Sequence, residues 1–245
     1  MSKEVPLYRA LSKLGYASRT NAVAMITAGE ICVDGVQCLD PNRAVIPECN
    51  KIYHKEKLLC KDELRVILLY KPKGVITSTK DEQNRPTVYS LLPADLQKLH
   101  CVGRLDFATS GLLLLTNNTL LSAWLTNPEN GVPRVYVVTV RGLLTPEKAQ
   151  SMLDGIIDQG QKLKTDSVVV RKSSRRESHL IITLTEGINR EIRRLCSSVG
   201  NEVTRLKRVS YGPLTLGTMS PGDYRDISRE ELCADFLDIR KAGIV

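Results

Sequence analysis

Residues 103–116 constrain this chain more than any other stretch. Gly103-Arg104-Leu105-Asp106-Phe107-Ala108-Thr109-Ser110-Gly111 is a polar loop bounded by two glycines, and it runs directly into Leu112 to Thr116, a short apolar strand. A loop anchored on a rigid buried strand is a common way to hold a catalytic side chain, and Asp106 is the candidate. Asp106 would serve a simple turn as well, by accepting hydrogen bonds from nearby backbone amides. The residues alone leave both readings open.

Around this segment the chain divides in two. Leu7, Ala10, Leu11 and Leu14 recur at helical spacing, with Gly15 where a C-terminal cap belongs. Ser18 can cap a second helix carrying Ala22, Met25 and Ile26, ended by Gly29. Ile31 to Val33, Asp34-Gly35 and Val36 to Cys38 predict a tight hairpin, and Glu48 to Tyr53 can close a small sheet. Residues 1–60 thus form a small domain, with the polar stretch His54 to Glu63 as its linker. From residue 64 to 245 a second domain follows. Strands are expected at Arg65 to Tyr70, Val75 to Thr79, Leu112 to Thr116, Val135 to Arg141, Ser167 to Arg171, Leu180 to Thr185 and Val203 to Val209. Helices are expected at Thr119 to Leu125, at Pro146 to Leu153 behind Thr145, and at Ile188 to Val199. Strands and helices do not alternate strictly, which predicts an α+β domain on a largely antiparallel mixed sheet.

The net charge of +8 suits a polyanionic partner, of which nucleic acid is the commonest, and suits a merely basic soluble protein equally. Seven cysteines, odd in number and without Cys-x-x-Cys spacing, predict neither a disulfide framework nor a zinc site. With no signal-like N-terminus and no long apolar run, a soluble, cytoplasmic protein is expected.

The segment around Asp106 resembles the Gly-Arg-Leu-Asp-x-x-(Thr/Ser)-x-Gly-Leu-Leu motif of the RsuA-type ribosomal RNA pseudouridine synthases. Tyr70-Lys71-Pro72-Lys73-Gly74, Arg134 to Val138, Glu186 to Leu195, and Val203 to Leu216 resemble further motifs of that family, in its order. The resemblance implies a pseudouridine synthase domain preceded by an S4-like RNA-binding domain, the latter through Leu11-Ser12-Lys13-Leu14-Gly15-Tyr16-Ala17-Ser18-Arg19. It departs from the S4 pattern at Pro6 and Thr20, which implies a weaker grip on RNA.

The implied reaction detaches uracil from C1′ of a uridine, turns it and rejoins it through C5, with no metal or organic cofactor. Asp106 would attack C1′ or remove a proton from C2′. Arg193 borders the apolar stripe Ile192, Leu195, Cys196 and Val199, and would pair with Asp106 and favour its ionised form; Glu186 and Glu191 are the alternative partners. Arg190 and Arg194 would turn to solvent. Tyr136 would stack on the flipped base with Leu206 beneath it, and Arg104 would fill the space the base vacates. RNA contacts are expected from Arg9, Lys13 and Arg19 in the small domain. In the large one they are expected from Lys71, Lys73, Arg190, Arg194, Arg205, Lys207 and Arg208. Ile188-Asn189-Arg190 favours a large-subunit rRNA target over a small-subunit one, as free RNA or in a partly assembled subunit. The rival readings are a non-catalytic S4-type RNA-binding or ribosome-assembly factor, and a DNA-binding regulator using the N-terminal helix pair.

Overall fold

The structure, a computed structural model, describes residues 4–47, 49–59, 63–79, 81–236 and 239. They divide into two compact units, one reaching to Leu64 and taking in Asn117–Thr119, the other comprising Arg65–Thr116 and the residues from Leu120 on.

The first unit contains β1 (Val5–Pro6), α1 (Leu7–Lys13), α2 (Arg19–Thr27), β2 (Ile31–Val33), β3 (Val36–Gln37), β4 (Ala44–Val45), β5 (Ile52–His54) and β6 (Lys57–Leu58). The Ser18 side chain caps α2 by accepting from the Asn21 amide. Asp34 and Gly35 both adopt positive φ, the conformation a two-residue hairpin requires. The Asp34 carboxylate accepts from the Lys51 amide and the Asn50 side chain, and so fixes the return strand β5 beside β2. Leu7, Leu11, Ala22, Ile26, Ile31, Val33 and Ile52 are buried together.

One expectation is corrected here. The polar stretch from His54 is not all linker, because β5 and β6 pair as a hairpin, Tyr53 opposite Leu58. Lys55 and Glu56 are polar because they sit at its exposed tip, whereas Leu59 returns to the core. Glu48 and residues 60–62 lie outside the described residues.

The second unit adds β7 (Val66–Lys71), β8 (His100–Val102), β9 (Ser110–Thr116), α3 (Thr119–Thr126), β10 (Arg134–Arg141), α4 (Pro146–Asp154), β11 (Ile156–Asp158), β12 (Gln161–Leu163), β13 (Ser167–Ser173), β14 (Glu177–Leu184), α5 (Glu191–Ser198), β15 (Val203–Tyr211), β16 (Leu214–Thr215), β17 (Tyr224–Asp226) and α6 (Arg229–Asp235). Its main sheet runs β13-β14-β10-β15-β9-β7-β17. Every pairing along that path is antiparallel except β15 with β9. This is the mixed, largely antiparallel sheet of an α+β domain. The β7 strand is buried throughout, as is β9 from Gly111 to Thr116, and that accounts for their unbroken apolar runs.

Two further expectations fail. Val75 to Thr79 is not a strand and contributes one isolated bridge, Ile76 with Thr87. Pro72 offers no amide to a ladder and Gly74 turns the chain out of the sheet at φ +83°. The helix expected from Ile188 starts at Glu191, because Arg190 takes the left-handed conformation (φ 54°, ψ 28°) immediately before it.

Candidate active site

The loop between β8 and β9 is held by its backbone. Lys71, at the end of β7, is fully buried and its ammonium donates to the carbonyls of Pro72, Asp106 and Thr109 at 3.1, 3.2 and 2.8 Å. Burial pulls its pKa down to about 8, and the nearby Asp106 partly opposes this. Thr77 donates to the Leu105 carbonyl, the Gly74 amide to Phe107, and Arg193 to Ala108. With the backbone so anchored, the Asp106 carboxylate is not spent on its own turn. Among the described residues it accepts no hydrogen bond; it faces Arg190 Nη1 at 3.8 Å and Arg193 Nε at 3.9 Å. At those distances the attraction is Coulombic, without a hydrogen bond. Neither Glu186 nor Glu191 pairs with Arg193 among the described residues.

Arg193 is largely buried, donates to the carbonyls of Val203 and Ala108, and leaves Nε without a hydrogen bond, facing Asp106. Burial, reinforced by the neighbouring Arg190, holds its pKa below the ordinary arginine value, and Asp106 opposes the shift. Asp106, Arg104, Tyr136, Arg190, Leu206 and Arg208 all line one cavity of about 360 Å³. This is within the size range of small-ligand sites. Tyr136, 8% exposed, projects from the middle of β10 with Arg208 opposite it on β15, and Leu206 lies opposite Val138.

The structure redistributes the expected RNA contacts. Lys71 is a buried support of the loop, not a surface cation. Arg194 does not turn to solvent: it donates to the Asp158 carboxylate and carbonyl and to Gln161, and so ties the β11–β12 hairpin to α5. Arg208 is 4% exposed and belongs to the cavity wall. Lys73, Arg104, Arg190 and Arg205 are exposed, as are Arg9, Lys13 and Arg19 in the first unit. Lys207 is half-buried, its ammonium 5.5 Å from the centre of the Tyr70 ring.

Glu191 is a cavity residue that the sequence reading considered only as a partner for Arg193. It falls four residues before Leu195, on the buried face of α5, and that spacing could have found it. One oxygen accepts from the Ile188 amide at 3.2 Å, and the other is buried without a partner. Burial pushes its pKa up to about 7, with Glu186 and Asp166 adding to the shift. Between 4.5, its ordinary value, and about 7 the folded state therefore binds more protons than the unfolded state, and stability falls as pH rises through that window. Glu191→Gln is expected to match wild type near pH 4.5 and to exceed it at pH 8, by up to about 3 kcal/mol at about 1.4 kcal/mol per pKa unit. Melting curves at the two pH values check this; an unchanged difference would show that Glu191 does not titrate in this range.

Residues 65–198 match the family model for RNA pseudouridylate synthase. An uncharacterized RNA pseudouridine synthase of Rickettsia typhi is 35% identical over 231 residues, covering 92% of this chain and 93% of that protein. Ribosomal large subunit pseudouridine synthase B of Bacillus subtilis is 30% identical over 228 residues, 92% of this chain and 93% of that protein. A crystal structure of a pseudouridylate synthase matches with a TM-score of 0.65 at 26% identity, over 93% of this chain and 98% of that one.

Proposed function

The chain belongs to the RNA pseudouridylate synthase family, and we propose that it converts one uridine of large-subunit ribosomal RNA to pseudouridine, with Asp106 as the essential carboxylate. The observation that carries this reading is the Asp106 carboxylate itself. It is unused by its own loop, flanked by Arg190 and Arg193, and opens into a cavity shared with Tyr136. The reaction is an isomerisation: C1′–N1 breaks, C1′–C5 forms, C5 loses a proton and N1 gains one. Nothing is oxidised or reduced, so no redox cofactor is called for. Asp106 acts on the sugar, by attack at C1′ or by taking a C2′ proton. Tyr136 packs against the base, Leu206 supports it, and Arg104 at the cavity mouth occupies the gap left in the RNA stack. Arg193 positions the carboxylate.

The large-subunit target is supported by the Asn189-Arg190 sequence and by the named activity of the Bacillus relative. A cytoplasmic location follows from that substrate, and the described residues hold no helix long and apolar enough to cross a membrane. Tritium release from C5-labelled, unmodified 23S and 16S rRNA, as free RNA and in precursor particles, tests the assignment. Release from 23S alone is expected; release from 16S alone would overturn the target, and release from neither the reaction.

The first unit, in this reading, is an S4-like RNA anchor through Arg9, Lys13 and Arg19. Replacing all three by glutamine is expected to weaken rRNA binding and flatten its salt dependence, the logarithmic slope falling by roughly 2 to 3. Titrations at several salt concentrations measure this, and an unchanged slope would remove the anchoring role.

A further inference from the structure

We propose that Arg208 is a further catalytic residue, a buried guanidinium that holds the carbonyl edge of uracil and takes up the negative charge the base acquires on leaving the sugar. The proposal rests on the reading above, that Asp106 opens the glycosidic bond in this cavity.

Arg208 is 4% exposed and forms no ion pair with any described residue. Its Nε donates to the Leu112 carbonyl at 2.7 Å, and its guanidinium lies 4.9 Å from the centre of the Tyr211 ring. Nη2 is buried and has no partner. The neighbouring cation differs. Arg134, also against Tyr211, spends its two terminal nitrogens on the carbonyls of Thr185, Glu186 and Leu125 and on the Tyr211 hydroxyl. Arg134 is thus fully engaged in structure, and Arg208 is not. A buried charge with neither counter-ion nor full hydrogen bonding is costly, and a site that binds an anion is where that cost is offset.

The sheet register says which anion. Arg208 is directly opposite Tyr136, so the two side chains leave the same face with Cβ atoms roughly 5 Å apart. A base stacked on Tyr136 therefore presents its edge to Arg208. When C1′–N1 breaks, the electron pair stays with the base and spreads from N1 onto O2 and O4. At the same time Asp106 bonds to C1′ or receives the C2′ proton. Rejoining through C5, with loss of the C5 proton and protonation of N1, returns the base to neutrality. The substrate base is uncharged before cleavage, so the cation acts on the rate more than on binding. A backbone phosphate is the other anion in reach of this protein. It would meet the exposed Arg104 and Arg190 before a side chain this buried.

Single-turnover conversion and RNA affinity of wild type, R208K and R208Q, with melting curves alongside, test the proposal. R208Q is expected to slow conversion about 10²- to 10³-fold, as for loss of a preorganised donor. RNA Kd should stay within roughly threefold, and R208K, which keeps the charge, should recover about tenfold or more of the rate. Equal slowing in both variants, or an R208Q as fast as wild type, overturns the proposal. A Kd and salt slope that move with the rate reassign Arg208 to a phosphate. If R208Q does not fold, R208A supplied with tens of millimolar guanidinium or urea replaces it. Rescue by guanidinium alone is expected, and rescue by both or by neither overturns the charge role. A wild type inactive on all rRNA would instead overturn the underlying reading, and this proposal with it.

Discussion

Asp106→Asn is expected to lower single-turnover conversion by about 10⁴-fold or more while changing RNA affinity by less than roughly threefold. The asymmetry has a structural cause. The loop around Asp106 is fastened through carbonyls, by Lys71, Thr77, Gly74 and Arg193, and none of these contacts uses the side chain that is replaced. Asparagine is nearly isosteric, so the backbone should stay in place. What is lost, in the proposed reaction, is the nucleophilic or basic oxygen. The carboxylate lies at 3.8 and 3.9 Å from two guanidinium groups, an attraction that uses no hydrogen bond, so the substitution breaks none. Conversion and filter binding on one rRNA fragment separate the two effects. A variant that still converts uridine would remove Asp106 from the mechanism.

Gly111→Ala should be the most disruptive small substitution in the second unit. Gly111 sits at φ +115°, and a Cβ there would lie 2.1 Å from the Arg208 carbonyl oxygen and 2.6 Å from its amide nitrogen. Both are backbone atoms, so no rotamer can relieve the contact. Neither strand is free to yield, since β9 is paired with β7 on its other side and β15 with β10. Strain in a conformation that L side chains avoid and overpacking each cost about 1–3 kcal/mol, so a loss on the order of 4 kcal/mol is expected. In a domain of this size that lowers Tm by roughly 10 °C. Conversion should fall too, because Gly111 ends the loop that carries Asp106. Gly131→Ala is the control: it also has positive φ (+59°), but nothing lies within 4 Å of its added Cβ. It should cost about 1 kcal/mol. Equal melting of the two variants would show that the β9–β15 approach is looser than 2.1 Å implies.

Much of this arrangement was legible because local pattern and buried position agree. The apolar run of β9, the Asp34-Gly35 turn and the Ser18 cap each depend on neighbours within a few residues. The cations were harder. Lys71 and Lys73 read alike in Lys71-Pro72-Lys73-Gly74, but β7 runs one residue further than its apolar pattern suggested. Lys71 therefore lies in the sheet opposite Gly111, and Lys73 falls beyond it. Arg205, Lys207 and Arg208 read as one basic cluster. Strand alternation separates Arg208 and Leu206 from the other two, and that signal was present in the sequence. Arg194 could not be placed without its partner, because Asp158 is held by a hairpin far away in sequence. The parallel β15–β9 pairing joins segments about a hundred residues apart and leaves no local trace.

That pairing also sets an order of assembly. As the polypeptide is made, β7 can pair with β9, and β10 with β14, before Val203 exists. The first of these half-sheets carries the strand behind Asp106 and the second carries Tyr136. Along the main sheet no ladder links them except through β15. The last long strand is thus also the central one, and its insertion closes contacts of high sequence separation, the kind that slow folding. The cavity is therefore completed late in the making of each new chain, and an intermediate that has formed both half-sheets still lacks the wall that Leu206 and Arg208 of β15 supply.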